Sequence, residues 1–284
     1  MDPAPPLNRL ILVANSVADD LSFVALADLS RVLLHAGNIR DTRIIGGQMV
    51  MLHVQRWGLG RELYRESQDA DLGIAPIAVK DGKIIMALQD VGYSRDSGNR
   101  YVRRVTDIPL RLYDERPADT DAAVDILTPA YTSRPRENVK ISEALTTTEA
   151  PGLAIALKRP GIELEIELHR LNDAELNVRI VVPDEVSAVI LKALAWRQRA
   201  ATKDAVDMWR TLEVAFAAGL KPEDFQGSWS SADQVLVEAF AKPDGAAMKA
   251  IAASGSLSAS ASQQRHTRIR ALILRFVDTT DVSE

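Results

Sequence analysis

Two aspartates separated by a single residue are the feature of this sequence best suited to chemistry. Asp69 and Asp71 lie in a segment, residues 69–75, whose composition predicts a β-strand. Residues i and i+2 of a strand point to the same face, so the two side chains should project side by side. Two carboxylates that close cannot both stay ionised cheaply unless a cation lies between them. The pair therefore indicates a divalent metal site, although a D-x-D pair alone is often a solvated strand face.

A third carboxylate, Asp125, interrupts the apolar segment 122–127. A charge in the middle of an apolar strand is costly unless it is paired or bound to a metal. On a strand next to the first pair, Asp125 would complete a two-metal site, in which one ion binds a triphosphate and the other activates an attacking hydroxyl. A buried ion pair is the alternative interpretation.

A glycine pair lies upstream of these aspartates. The short apolar strand 43–45 leads directly into Gly46-Gly47, and a helix is predicted to follow from Gln48 to about Arg56. Glycine lets the backbone approach a phosphate closely, and the N-terminus of a helix favours anions. A simple turn is the alternative. The order of glycine pair, helix, D-x-D strand and isolated strand aspartate is more specific than any one part.

Composition narrows the chemistry further. The chain of 284 residues has no cysteine, which excludes disulfides, thiolate metal sites and cysteine nucleophiles. Its four histidines share no zinc-ligand spacing. A bound metal should therefore be held by carboxylates, which favours Mg²⁺ or Mn²⁺. A net charge of −5 argues against attraction of nucleic acid to the whole surface but leaves room for a local basic groove.

The pattern of the chain changes at Pro183-Asp184. We predict an α/β (α+β) domain with a mixed sheet over residues 1–183 and an all-helical domain over residues 184–284. The first contains a helix from Asp19 or Asp20 to His35, a hairpin turn at Asp81-Gly82 and a loop over 90–100. Its further strands are predicted at 102–105, 109–113, 122–127, 163–168 and 177–182. The second contains helices at about 185–200, 203–218, 231–242, 245–253 and 260–277.

The N-terminal segment lacks a basic stretch followed by an apolar core, and the apolar run 10–13 is too short to span a bilayer. We therefore expect a cytoplasmic protein with no membrane partner.

The sequence resembles the polymerase-beta-type nucleotidyltransferases, and more narrowly the AbiEii/MenT toxins of bacterial toxin–antitoxin systems. The resemblance lies in Gly46-Gly47, in the stretch from Arg65 through Ser67 and Asp69 to Asp71, and in a later helical segment from Lys192 to Asp207. It covers roughly residues 44–219. Gln48 stands where related enzymes often carry a serine or threonine that touches phosphate, and the span from Gly47 to Asp69 is longer than usual.

The resemblance implies that Lys192 and Asp207 matter for activity. Lys192 would hold the triphosphate, while Asp207 would orient Lys192 or Lys203 or act on the acceptor hydroxyl. Arg65, Ser67, Lys203 and Gln48 would contribute to nucleotide binding with Gly46 and Gly47. From these residues alone, without the aspartate motif, a solvated helix face or a surface ion pair is the favoured interpretation of the charges around Lys203 and Asp207.

The resemblance also implies a function. The protein would transfer a nucleoside monophosphate from a nucleoside triphosphate to RNA, with the 3′ end of tRNA as the leading acceptor, and so block translation as a toxin. Its protein partner would be a cognate antitoxin. Two alternatives stay open: a nucleotidyltransferase acting on a protein or a small molecule, and a catalytically silent nucleotide-binding or interaction protein.

Overall fold

The protein has a mixed α/β architecture in the computed structural model, which describes residues 6–79, 82–109, 120–132, 134–143, 145–229, 231–242, 244–254 and 259–277. The strands are β1 (Arg9–Val13), β2 (Thr42–Ile45), β3 (Asp69–Ile74), β4 (Ser94–Ser97), β5 (Arg100–Arg104), β6 (Asp121–Pro129), β7 (Val139–Lys140), β8 (Thr146–Ala150), β9 (Ile162–His169) and β10 (Glu175–Val182). The helices are α1 (Val17–Ala36), α2 (Gly46–Arg56), α3 (Pro76–Val79), α4 (Lys83–Asp90), α5 (Leu153–Lys158), α6 (Glu185–Arg199), α7 (Thr202–Ala217), α8 (Ala232–Val235), α9 (Ala246–Ala253) and α10 (Ala259–Phe276). A π-helical turn, Leu236–Ala241, continues α8.

The larger sheet carries the candidate site. Its strand order is β2-β3-β6-β5-β4. Strand β8 pairs with the C-terminal end of β6, and β7 pairs with β8. Strands β3 and β6 run parallel, whereas β2 is antiparallel to β3 and β5 is antiparallel to β6. The expectation of a mixed sheet is thus confirmed. Helix α1 packs across β3 and β6 with apolar residues such as Leu26 and Leu29, which are fully buried.

A smaller sheet is formed by β1, β9 and β10. Strands β9 and β10 correspond to the strands predicted at 163–168 and 177–182, and they pair in antiparallel fashion. Strand β1 runs parallel to the other edge of β9. Helix α1 contacts this sheet as well: the Ser30 hydroxyl donates to the backbone carbonyl of Arg179 over 2.9 Å. One helix therefore packs against both sheets.

The buried apolar residues fall into groups on either side of Pro183. One cluster draws on residues between Leu10 and Val182, and a second on residues between Val186 and Val277. A smaller cluster joins α2 and α5 to α6 through Ile45, Met49, Leu153 and Leu191. Two of its members, Ile45 and Leu191, directly precede the predicted site residues Gly46 and Lys192 in the chain.

Several predicted elements differ from the structure. The hairpin at Asp81-Gly82 is wrong, because helices α3 and α4 flank this position. Residues Ile84, Ile85 and Leu88 are buried at helical rather than strand spacing. The predicted loop 90–100 contains β4, and α1 begins earlier than expected because the Ser16 side chain caps it by accepting from the N–H of Asp19.

The strand predicted at 109–113 falls outside the described residues beyond Pro109. Among the helices that are described, none is both long and apolar enough to cross a membrane.

Candidate active site

Adjacent parallel strands bring the three predicted aspartates to one cleft. Asp71 of β3 is directly opposite Asp125 of β6, and Asp69 lies two residues earlier on the same face of β3. All three line a cleft of about 420 Å³. Burial and the neighbouring charges of Asp69 and Asp125 raise the pKa of Asp71 to about 7. The cleft therefore concentrates negative charge that a cation would relieve.

An arginine from β5 lies among these carboxylates. Arg100 is opposite Asp125 in the antiparallel pairing of β5 with β6. Its Nη1 lies 2.9 Å from Asp125 Oδ2 and 3.3 Å from Asp69 Oδ2. Burial still raises the pKa of Asp125, with Arg100 opposing it. Arg100 is thus a cation held between two of the three candidate metal ligands.

The glycine pair forms the floor of the cleft at the N-terminus of α2. Gly46 has a left-handed φ of +70°, and a Cβ there would lie 1.7 Å from Asp71 Oδ2. A Cβ on Gly47 would lie 2.7 Å from Ser67 Oγ and 3.0 Å from Arg65 Nη2. Glycine is required at Gly46 by both conformation and space. The first turn of α2 consequently directs its positive dipole end at the carboxylate cleft.

A buried aspartate on α7 organises the cations on the opposite side. Asp207 is 1% exposed, and its Oδ2 lies 2.8 Å from Lys192 Nζ on α6. Arg65 forms two hydrogen bonds of 3.0 Å to the same carboxylate, and Arg210 Nη1 approaches Oδ1 to 2.9 Å. Burial alone would raise the pKa of Asp207, but these three cations hold it well below its usual range. Asp207 therefore stays ionised and fixes Lys192 at the cleft.

Helices α6 and α7 form the side of the cleft that faces the sheet carboxylates. Lys192, Arg199, Lys203 and Asp204 line the cleft with Asp207. Asp204 is buried and accepts two hydrogen bonds from Arg199, at 2.8 and 3.1 Å. Lys203 is exposed. The cleft thus sets basic groups of α6 and α7 against the carboxylates of the sheet.

Of two other residues predicted to bind the nucleotide, Ser67 and Gln48, only Ser67 lines the cleft. Ser67 lines the cleft and lies 3.4 Å from the backbone oxygen of Asp69. Gln48 does not reach the cleft surface; it is 1% exposed and its amide donates to the backbone oxygen of Ser67 over 3.3 Å. Its Oε1 is buried without a hydrogen-bond partner among the described residues. Gln48 therefore supports the segment that contains Ser67 and leads into β3.

A separate group of potential ligands occurs on the smaller sheet. Glu167, His169 and Glu175 offer ligand atoms within 4.8 Å of one another, which the three aspartates around Arg100 do not. His169 Nε2 lies 2.8 Å from Glu167 Oε1, and all three side chains are partly or largely exposed. Exposed acidic groups of this kind are common without an ion. None of the three residues lines the carboxylate cleft.

Comparison with known proteins does not assign the chain to a family. The chain matches no protein-family model, and a search of curated proteins gives no significant match.

Proposed function

We propose that the protein is a metal-dependent nucleotidyltransferase. The observation that carries this proposal is the meeting of Asp69, Asp71 and Asp125 on adjacent strands with the glycine-lined start of α2 and the ammonium group of Lys192. Carboxylates suit a hard divalent ion, whereas the helix N-terminus and the lysine suit phosphate. A ligand carrying both a divalent cation and several phosphates matches this combination.

The three carboxylates of the cleft fit Mg²⁺ or Mn²⁺, provided that the guanidinium of Arg100 moves away from Asp69 and Asp125. Asp69, Asp71 and Asp125 supply only oxygen ligands. Burial, together with the charges of Asp69 and Asp125, raises the pKa of Asp71, and a bound cation would oppose this shift. A bound divalent ion would neutralise charge on the phosphates and lower the pKa of an attacking hydroxyl. In the proposed reaction, an acceptor oxygen bonds to the α-phosphorus, pyrophosphate leaves and the hydroxyl proton is released.

The residues around the cleft would divide the remaining work. The N–H groups of Gly46 and Gly47 and the side chains of Ser67, Arg65 and Lys192 would bind phosphate oxygens. Asp207 is a poor proton acceptor, because three cations lower its pKa. Its contacts favour the role of orienting Lys192 over that of a base acting on the acceptor. Lys203 is exposed at the rim and free to approach a phosphate or the acceptor.

The resemblance to AbiEii/MenT toxins supports an RNA acceptor, with the 3′ end of tRNA as the first candidate and an antitoxin as the protein partner. A protein or a small molecule as acceptor would use the same cleft. A catalytically silent nucleotide-binding protein is a second candidate function, favoured by Arg100 between the carboxylates.

The test is transfer of label from each of four α-labelled nucleoside triphosphates, with Mg²⁺ or Mn²⁺, onto separate pools of RNA, protein and small molecules. We expect label in RNA with the wild type. Asp69→Ala should reduce the rate at least about a hundredfold, because metal stabilisation of charge is worth several kcal/mol. Asp90→Ala, an exposed aspartate at the end of α4, is the control and should retain activity. Metal-dependent binding without turnover in any pool would instead support the silent protein.

A further inference from the structure

The hairpin formed by β9 and β10 carries a second group of potential metal ligands on its more exposed face. In the antiparallel register, His169 is directly opposite Glu175, and Glu167 is directly opposite Asn177. Because Glu167 and His169 are two residues apart on one strand, all four side chains project from the same face of the sheet. They form a square of two neighbouring cross-strand pairs, and each corner holds a side chain that can offer nitrogen or oxygen to a metal ion.

Three of these side chains place their ligand atoms close enough together for one ion. Glu167, His169 and Glu175 each offer a ligand atom within 4.8 Å of the others. Glu167 Oε1 lies 2.8 Å from His169 Nε2, and Glu175 Oε1 lies 3.8 Å from His169 Nδ1. Ligands bound to one ion at about 2.0–2.2 Å are at most roughly 4.4 Å apart. Small rotations are therefore sufficient, and these partly exposed side chains can make them without repacking the core.

The charges of the group match a divalent cation. Glu167 and Glu175 bring two carboxylates together, and His169 is their ion-pair partner. Within the described ranges, no lysine or arginine forms an ion pair with either carboxylate. By contrast, Glu163 on the same strand is paired with Arg179. A neutral imidazole between two carboxylates leaves two negative charges, which a divalent cation would balance.

The histidine distinguishes this group from the exposed acidic clusters that occur without an ion. One imidazole nitrogen with two carboxylates is a donor set that suits Zn²⁺ and related transition metals. Mg²⁺ and Ca²⁺ instead prefer oxygen ligands alone. The ligand chemistry of the hairpin therefore differs from that of the carboxylate cleft, which offers oxygen only.

The end of the hairpin is already held in place by other contacts. The guanidinium of Arg170 forms two hydrogen bonds with Asp20 on α1, of 3.1 and 2.7 Å, and two with Asp107, of 2.6 and 3.0 Å. The backbone N–H of Arg170 also donates to the carbonyl of Ala174 across the turn. Strands that are held in register fix the spacing of their side chains, so little ordering remains when an ion binds.

We propose that Glu167, His169 and Glu175 form a Zn²⁺ site that is separate from the carboxylate cleft. None of the three lines that cleft, so this proposal stands independently of nucleotidyl transfer. The ion links β9 to β10, and three protein ligands leave a further position for water or an added ligand. Spacing along the sequence does not reveal the site, because Glu175 meets His169 only through the register of the two strands.

The experiment is isothermal titration calorimetry of the whole 284-residue chain with Zn²⁺ in the presence of excess Mg²⁺. We expect Zn²⁺ binding that Mg²⁺ does not displace. His169→Ala and Glu175→Gln should each weaken it at least about tenfold, since loss of even an outer-shell partner of a ligand costs about 10–100-fold in affinity. Glu165→Gln, at an exposed position on β9, is the matched control and should bind as the wild type does.

Asp69→Ala separates this site from the carboxylate cleft and should leave the Zn²⁺ affinity unchanged. Binding that is lost in Asp69→Ala but kept in His169→Ala would place the ion in the cleft and overturn the proposal. Absence of Zn²⁺ binding by the wild type, or equal weakening by Glu165→Gln, would overturn it as well. Circular dichroism of the metal-free variants checks their folding. Glu175 is 62% exposed, so Glu175→Gln keeps the test decisive even if His169→Ala disturbs the hairpin.

Discussion

Arg100 competes with any metal for the carboxylates of the cleft. Its guanidinium contacts Asp69 and Asp125. These are the two carboxylates whose charges contribute to the raised pKa of Asp71. A guanidinium delocalises one charge over a plane, whereas a divalent ion concentrates two charges at a point. A divalent metal ion should therefore bind these carboxylate oxygens more strongly than Arg100 does, but only after the contacts of Arg100 are broken. If the proposed function holds, Arg100 would therefore set the apparent metal affinity of the protein.

This competition predicts that Arg100→Gln binds Mn²⁺ several-fold more tightly than the wild type, because no resident cation must be displaced. Electron paramagnetic resonance of free Mn²⁺ during titration gives the dissociation constant. Arg104→Gln is the control, since Arg104 lies on the same strand but pairs with Asp121 at 3.6 Å, outside the cleft. If Arg100→Gln weakened Mn²⁺ binding, Arg100 would instead be organising the site.

At the scale of elements, the start of α2 is in direct contact with the first half of β3. Ile45 at the N-cap has no polar side chain, so the cap residue offers no side-chain acceptor to the N–H groups of the first turn. Gly46 brings this turn against Asp71 in a space that excludes a Cβ. The closeness of helix dipole and carboxylate is thus a property of two elements meeting at one glycine.

Replacement of that glycine should damage both stability and the site. Gly46→Ala would combine a left-handed φ with a direct clash against Asp71, so it should cost more than the roughly 1–2 kcal/mol of backbone strain alone. It should also abolish Mn²⁺ binding. Gly58→Ala is the matched control: its φ is +59° with nothing within 4 Å of the added Cβ. Urea denaturation compares the two, and equal costs would show that the Asp71 contact is unimportant.

Elements with a periodic pattern could be predicted from the sequence, whereas partners across the sheet could not. The composition of residues 69–75 predicted the strand that bears Asp69 and Asp71, and the apolar run around Asp125 predicted β6. Arg100 was recognisable only as one of several arginines, because its contact depends on the register of β5 against β6. The short strand β8 and helix α5 carry too few residues to establish a period, although both contribute to the apolar cluster that joins α2 to α6.

For the whole molecule, the candidate site is also the junction between its two main apolar clusters. Arg65 precedes β3, whereas Asp207, Lys192 and Arg210 belong to the C-terminal helices. The Arg65–Asp207 ion pair therefore ties one part of the chain to the other at the cleft. A second tie runs from Glu185 to Arg56 and to the indole N–H of Trp57. Binding in the cleft and the packing of the two parts should consequently be coupled.

Asp207 is the centre of that coupling, and its removal should be among the most destabilising single changes in the protein. Asp207→Asn would leave Lys192 and Arg210, which are 4% and 1% exposed, without their principal counter-charge, at a cost of about 3–5 kcal/mol. Urea denaturation followed by circular dichroism measures this cost. Glu163→Gln, which breaks a solvent-exposed pair with Arg179, is the control and should leave the free energy of unfolding nearly unchanged.

The cause can be isolated with a double-mutant cycle. Lys192→Met should be less costly in the Asp207→Asn background than in the wild type, because the unpaired ammonium is then the liability that is removed. Strictly additive costs would mean that Asp207 stabilises the protein by some means other than pairing with Lys192. A positive coupling would show that Lys192 and Asp207 stabilise each other. The buried ion cluster would then fix the ammonium group of Lys192 at the carboxylate cleft, which apolar side chains in its place could not do.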